Sequence, residues 1–177
     1  MAESGAPVIV PGDPGGPGRT ARPGERLGES EARVTAADVR FAEGMIPHHR
    51  QALEMAALVP PRSSSQEIRT LAERITAAQR PEIAAMTSWL RSVGRTAPGH
   101  DDHTVTQEQM NRLRTARGAA FDRLFLTLMI DHHEAAVEMA GVELKNGTDR
   151  VMRATAADVS SGQSIEIARM RELLERI

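Results

Sequence analysis

The chain contains two pairs of adjacent histidines, His48–His49 and His132–His133, which stand 84 residues apart in closely matching contexts. The first context reads DVRFAEGMIPHHRQALEMA from residue 38, and the second reads DRLFLTLMIDHHEAAVEMA from residue 122. Imidazole is the commonest protein ligand for zinc, copper and nickel, and a neighbouring thioether shifts the preference towards copper, Cu(I) above all. The doubled pattern therefore predicts a metal site to which both copies contribute.

The duplication continues without a gap to Leu90 and Leu174, and 18 of the 53 aligned positions are identical. A core requires only apolar side chains, so repeated polar and sulfur-containing residues point to a role beyond packing. The candidate metal ligands are His48, His49, His132, His133, Met45, Met55, Met86, Met129, Met139 and Met170. Residues that could bind the metal or hold its ligands are Asp38, Asp122, Gln79, Gln163, Glu82 and Glu166. No residue is assigned a catalytic role.

Helical spacing of apolar residues predicts the elements that carry these side chains. We expect long helices at about 36–59, 64–93, 119–145 and 148 to the chain end, and a short helix at about 106–117. Only 2% of the residues are aromatic and no alternating β-branched run occurs, so no strand is predicted. The predicted fold is an all-α four-helix bundle made of two duplicated helical hairpins with a short connecting helix.

Composition divides the chain into a leader and a bundle. The first 34 residues hold half of the prolines and half of the glycines, a composition that cannot bury enough apolar surface to order itself. We expect a disordered leader over 1–34 and the bundle over 35–177. Within the bundle, repeat 1 covers 35–94, a linker with the short helix covers 95–118, and repeat 2 covers 119–177.

Charge and residue content exclude several classes of function. With 22 basic and 24 acidic residues the chain has no large field, so a nucleic-acid partner is not predicted. Cysteine is absent, which excludes thiolate catalysis and cysteine-based zinc sites. No apolar run reaches the roughly 20 residues of a membrane span. Neither charge nor residue content excludes a homo-oligomer.

Both histidine pairs lie near the middle of their predicted helices, as do Gln79 and Gln163 in theirs. Helix midpoints in a bundle share one level, so we expect a central polar layer of four histidines and two glutamines, with Glu82 and Glu166 nearby. Unpartnered burial costs about 1–3 kcal/mol for each polar group. These groups must therefore bond to one another, bind water or hold an ion, and a hydrogen-bonded layer without metal is the alternative to a metal site.

At these residues the chain resembles the family known as domain of unknown function 305, a ferritin-like group with the motif DxxFxxxMxxHHxxAxxMA and a following QxxEIxxMxxWL helix. Both copies fit, except that Leu173 stands where the second tryptophan would be. The resemblance implies copper binding and copper resistance through the histidines and methionines named above. Many members carry a methionine-rich stretch between the repeats; here it reads HDDHTVTQEQM, which makes His100 and His103 candidates for an extra metal site.

The resemblance also bears on location, because the characterised relatives are exported or periplasmic. Exported relatives often have a Pro/Gly-rich stalk between a membrane anchor and the bundle, and residues 5–28 resemble one. This implies an extracytoplasmic protein whose anchor or signal is absent from the chain given. A chain that truly starts at Met1 would be cytoplasmic.

The function expected from these observations is metal binding, with copper sequestered or passed on through the paired histidines and nearby methionines. Zinc and iron are the alternative ions. A ferritin-like metal-dependent oxidase is the enzymatic alternative, weakened because the Glu plus Glu-x-x-His ligand set of di-iron bundles is missing. The third alternative is a structural or interaction bundle with a buried polar layer.

Overall fold

The computed structural model describes residues 9–10, 19–20, 34–99 and 104–177. It divides into two compact units, Met1–Arg33 and Val34–Ile177. The first unit contains strands β1 (Ile9–Val10) and β2 (Arg19–Thr20), which pair antiparallel. The prediction of no strand was wrong here, because two residues are too few to show the alternation by which strands are recognised. The other residues of the expected leader, apart from Val34, lie outside the described part of the chain.

The second unit is helical, and the predicted all-α fold is confirmed. Its helices are α1 (Ala36–Ala57), α2 (Gln66–Ser92), α3 (Gln107–Thr115), α4 (Gly118–Asn146) and α5 (Arg150–Glu175). The long helices form two hairpins, α1–α2 and α4–α5, and the short α3 lies in the connection. None of the helices in the described residues is long and apolar enough to cross a membrane.

Local capping chemistry sets the helix starts. Thr35 forms the predicted capping box at the start of α1, and Thr106 forms the one at the start of α3. Helix α2 was predicted to open at Ser64, but its N-cap is Ser65, whose hydroxyl accepts a hydrogen bond from the backbone N–H of Ile68. Several serines in a row make the choice of cap a matter of the turn geometry rather than of residue type.

Contacts at both ends show that α1 and α4 run antiparallel. The Asp38 carboxylate, in the first turn of α1, accepts hydrogen bonds from the backbone N–H groups of Thr148 and Asp149, which precede α5. At the opposite end, the backbone N–H of Gly118, at the start of α4, donates to the carbonyl of Arg62 at 2.8 Å. The middle of α1 therefore lies beside the middle of α4.

Two apolar clusters fill the bundle, one towards each end. One is built around Phe121 and Phe125, whose stacked rings lie 5.9 Å apart, and the other contains Phe41 and Trp89. Helix α1 supplies positions 52–56 to the first cluster and 41–46 to the second, and α4 supplies 121–130 to the first and 136–140 to the second. Both histidine pairs fall between these stretches, so a polar layer separates the two apolar halves.

Candidate metal centre

The centre of the layer is a contact between one histidine of each repeat. The rings of His48 on α1 and His132 on α4 have centroids 3.6 Å apart and are tilted by 32°. Both residues are buried. Neither ring nitrogen of His132 makes a hydrogen bond of ordinary geometry to the described residues.

The second histidine of each pair turns towards a glutamate in its own hairpin. His49 Nε2 lies 2.7 Å from Glu82 Oε2, and His133 Nε2 lies 2.8 Å from Glu166 Oε2. The same atoms meet in both repeats, so the duplication has preserved the contact as well as the residues. The Nδ1 atoms of both histidines have no hydrogen-bond partner within the described residues. Each glutamate orients an imidazole and leaves its other nitrogen available, as second-sphere carboxylates do at metal sites.

Two glutamines complete the layer. Gln79 on α2 and Gln163 on α5 are buried, and both amide atoms of each side chain lack a hydrogen-bond partner among the residues that the structure describes. Unpartnered buried amides are costly, at about 1–3 kcal/mol each. Groups outside the described protein atoms, either water or an ion, are therefore expected to bind in this layer.

The electrostatics of the layer keep its central imidazole neutral. Burial lowers the pKa of His132 well below its ordinary value, and the neighbouring His48, His133 and His49 lower it further. A neutral imidazole has a free electron pair on one nitrogen, and only that form coordinates a metal. His132 is thus in the metal-binding form at neutral pH without any preceding loss of a proton.

The six repeated methionines divide into two sets of three, one on each side of the layer. Those in or against the Phe41 cluster are Met45, Met86 and Met139, and those in the Phe121 cluster are Met55, Met129 and Met170. Each methionine of one set is equivalent, in the 84-residue repeat, to a methionine of the other set. Each apolar half therefore contains an equivalent set of thioethers, and within these sets Met45 and Met129 stand three positions, about one helical turn, before the histidine pairs.

Several other candidate residues are not brought into this layer. Asp38 and Asp122 stand ten positions before the histidine pairs, about 15 Å away along a helix axis. In residues 34–99 and 104–177 no three His, Asp or Glu side chains are grouped so that they could hold a metal ion. His100 and His103 lie outside the described residues.

The structure also contains a buried carboxyl pair that the sequence interpretation missed. Burial raises the pKa of Glu143 to about 7, with a further contribution from the adjoining Asp38. Burial would also raise the pKa of Asp38, but hydrogen bonds from Thr35 and from the backbone of Asp149 outweigh it and hold that pKa at about 2. Glu143 stands three positions after buried Ala140, and this helical spacing was the signal that could have identified it.

Gly147 provides the space that Glu143 occupies. A Cβ atom on Gly147 would lie 2.0 Å from Glu143 Oε1, which is far inside contact distance. The Glu143 oxygens make no hydrogen bond of ordinary geometry to the described residues, and the adjoining Asp38 carboxylate adds to the effect of burial in raising the Glu143 pKa. The pair lies at the end of the bundle and belongs to its structure rather than to the histidine layer.

The family model for the domain of unknown function DUF305 matches residues 38–174. The chain belongs to the DUF305 family. A DUF305 fragment from Deinococcus radiodurans is 29% identical, with a TM-score of 0.76 over 81% of this chain and 99% of that chain. A DUF305 protein from Streptomyces coelicolor, described as a "putative secreted protein", is 31% identical, with a TM-score of 0.74 over 79% of this chain and 93% of that chain.

CopM is a further structural relative of this DUF305 chain. Its Cu(I)-bound form is 31% identical, with a TM-score of 0.69 over 78% of this chain and 96% of that chain. CopM structures in Cu(II)-bound and Ag-bound forms are similar to this chain as well. No curated protein gives a significant sequence match.

Proposed function

We propose that this DUF305 protein binds copper in its central layer and sequesters it or passes it on. The observation that carries the proposal is the buried contact between His48 and His132, placed between two equivalent sets of three methionines. His49 and His133 add a nitrogen each, and Glu82 and Glu166 orient them. The protein performs no reaction in this proposal, and the ion is its cargo.

The available donors favour copper over zinc and iron. Structural zinc sites take four ligands, and catalytic ones take at least three from His, Cys, Asp or Glu. The chain has no cysteine, which excludes the cysteine-based zinc sites, and the clusters on both sides of the histidines contain methionines. Neutral imidazole completed by thioether sulfur is the combination that suits Cu(I). The ligand set of a di-iron oxidase, with two Glu-x-x-His motifs, is also missing from the repeats.

The relatives support the same conclusion and add a location. CopM has been solved with Cu(I), Cu(II) and Ag, and the chain matches it over most of its length. The Streptomyces coelicolor relative is described as a "putative secreted protein". We propose that the protein works outside the cytoplasm, where it would handle copper before the ion reaches the cell interior, and the description of this relative supports that proposal.

Paired methionine variants test the ligands directly. Met45→Leu with Met129→Leu removes one equivalent thioether from each side of the layer, and its matched control is Met110→Leu with Met152→Leu. All four methionines are buried, but Met110 and Met152 are not repeated, so both variants cost the core a similar amount. We expect the first pair alone to weaken Cu(I) affinity in competition with a chelator. Equal affinities for the two variants would exclude a thioether contribution from Met45 and Met129.

A thermal experiment distinguishes a metal site from a purely structural layer. An ion that binds only the folded state at a hundredfold excess over its dissociation constant stabilises that state by about 2.7 kcal/mol. Copper should therefore raise the melting temperature, and His48→Gln with His49→Gln should abolish the increase, as should acidification through the imidazole range. A wild type whose melting temperature does not respond to copper at neutral pH would overturn the proposal in favour of a hydrogen-bonded layer.

A further inference from the structure

A narrow cleft between α2 and α5 opens onto the polar layer. Its volume is about 50 Å³, and its lining residues are Ala78, Gln79, Glu82, Asp158, Gln163 and Glu166, with Val159 and Gly162. Four of these residues belong to or adjoin the histidine layer, since both glutamines lie in it and both glutamates bond to its histidines. The cleft thus joins solvent to the layer on the face away from the α1–α4 contact.

Exposure falls in steps from the mouth of the cleft to its floor. Asp158 at the rim is exposed, whereas the side chains of Glu82 and Glu166 are 23% and 13% exposed. Behind them, Gln79 and Gln163 are buried with unpartnered amides. The polar side chains form a continuous series from solvent to the imidazoles.

We propose that this cleft is the route by which the metal cation enters and leaves the bundle, an inference that rests on the proposed function. Carboxylates at the mouth attract a cation, and the amide oxygens of Gln79 and Gln163 offer it neutral ligands as it loses water. The two glutamates lie between the rim and the glutamines, and the route ends at the histidines to which they are bonded. The cleft therefore provides transit, and the histidine layer provides retention.

Small residues keep the mouth open in both repeats. Ala78 on α2 and Gly162 on α5 are equivalent positions, 84 residues apart, and both are exposed. A Cβ added to Gly162 meets no atom within 4 Å. By contrast, a Cβ added to Gly44, in the middle of α1, would lie 3.7 Å from the Met139 sulfur on α4. The α1–α4 face is thus packed where the α2–α5 face has a gap.

The test obstructs the mouth without changing the layer. Ala78→Leu with Gly162→Leu places two large side chains at the rim, at exposed helical positions where leucine is a good helix former. The matched control is Ala77→Leu with Ser161→Leu, which adds leucines at the neighbouring equivalent positions that do not line the cleft. Cu(I) uptake by the apo protein and Cu(I) release to an excess of chelator are timed by stopped flow, and the equilibrium affinity is measured separately.

We expect the obstructed variant to load and release Cu(I) more slowly by about tenfold or more, the effect of an added barrier of about 1.4 kcal/mol. Its affinity should equal that of the wild type, because a barrier alters both rates alike. If the obstructed variant took up and released Cu(I) at wild-type rates, the proposed route would be wrong. The same slowing of uptake and release in the control variant would also contradict it. Slower uptake combined with faster release would also contradict it, since this would show a distorted site. A wild type that takes up no copper would instead overturn the proposed function, and the route with it.

Discussion

Replacing Glu143 by glutamine is expected to change how the stability of the bundle depends on pH. Glu143 is 1% exposed and lies beside the ionised Asp38, so the folded state favours its protonated form. Glutamine has nearly the same shape and donates a hydrogen bond at every pH. The Glu143→Gln variant should therefore remain neutral beside Asp38 under conditions in which the wild type must bury a second negative charge.

The sign and size of the effect follow from the pKa of Glu143, which rises from 4.5 to about 7 on folding. Because the folded state binds this proton more tightly, its stabilising contribution is complete below pH 4.5 and is lost as the pH rises through 7. At 1.36 kcal/mol for each pKa unit, the loss of stability is about 3 kcal/mol at most. The variant should gain that much relative to the wild type between pH 4.5 and pH 8.

Urea unfolding of the metal-free proteins at four pH values between 4.5 and 8 measures this difference. Titration of the histidine layer affects wild type and variant alike, so it cancels when their free energies of unfolding are subtracted. The exposed Glu138 on the same helix supplies the control Glu138→Gln, for which the difference from wild type should not vary with pH in this way. A constant difference between Glu143→Gln and wild type across the range would refute the raised pKa of Glu143 in the folded state.

Three further outcomes are expected. Gln51→Ala should lower the free energy of unfolding by about 1–3 kcal/mol in urea titrations, because it leaves the buried backbone N–H and C=O of Val105 without the two 2.9 Å hydrogen bonds that the amide makes. Gly147→Ala should lower the free energy of unfolding of the wild type, because the new Cβ clashes with the Glu143 carboxyl, and should lower it much less in a Glu143→Ala background. Equal losses of stability in both backgrounds, measured in a double-mutant cycle, would contradict the clash. Deleting residues 1–33 should leave the melting temperature nearly unchanged, since a Pro/Gly-rich composition cannot supply a core, and a large decrease in calorimetry would show that the domain boundary is misplaced.

Sequence alone determined the helical elements and the level of the polar layer. Periodic apolar positions, the capping residue Thr35 and the stop at Asn146-Gly147 act within one or two turns, so the residues themselves carry this information. The 84-residue repeat then placed four histidines and two glutamines near helix midpoints. Since paired helices of similar length align their midpoints, no tertiary contact had to be known to expect these residues at one level.

Only the tertiary structure decided which side chains meet. His48 and His49 are adjacent, yet one contacts α4 and the other bonds to Glu82 on α2, because consecutive helical residues point about 100° apart towards different neighbours. Asp38 holds the α4–α5 turn about 110 residues away, a pairing that no local pattern encodes. The cleft beside Gly162 likewise exists because α5 faces α2 there, and the spacing of two helices depends on how the whole bundle packs.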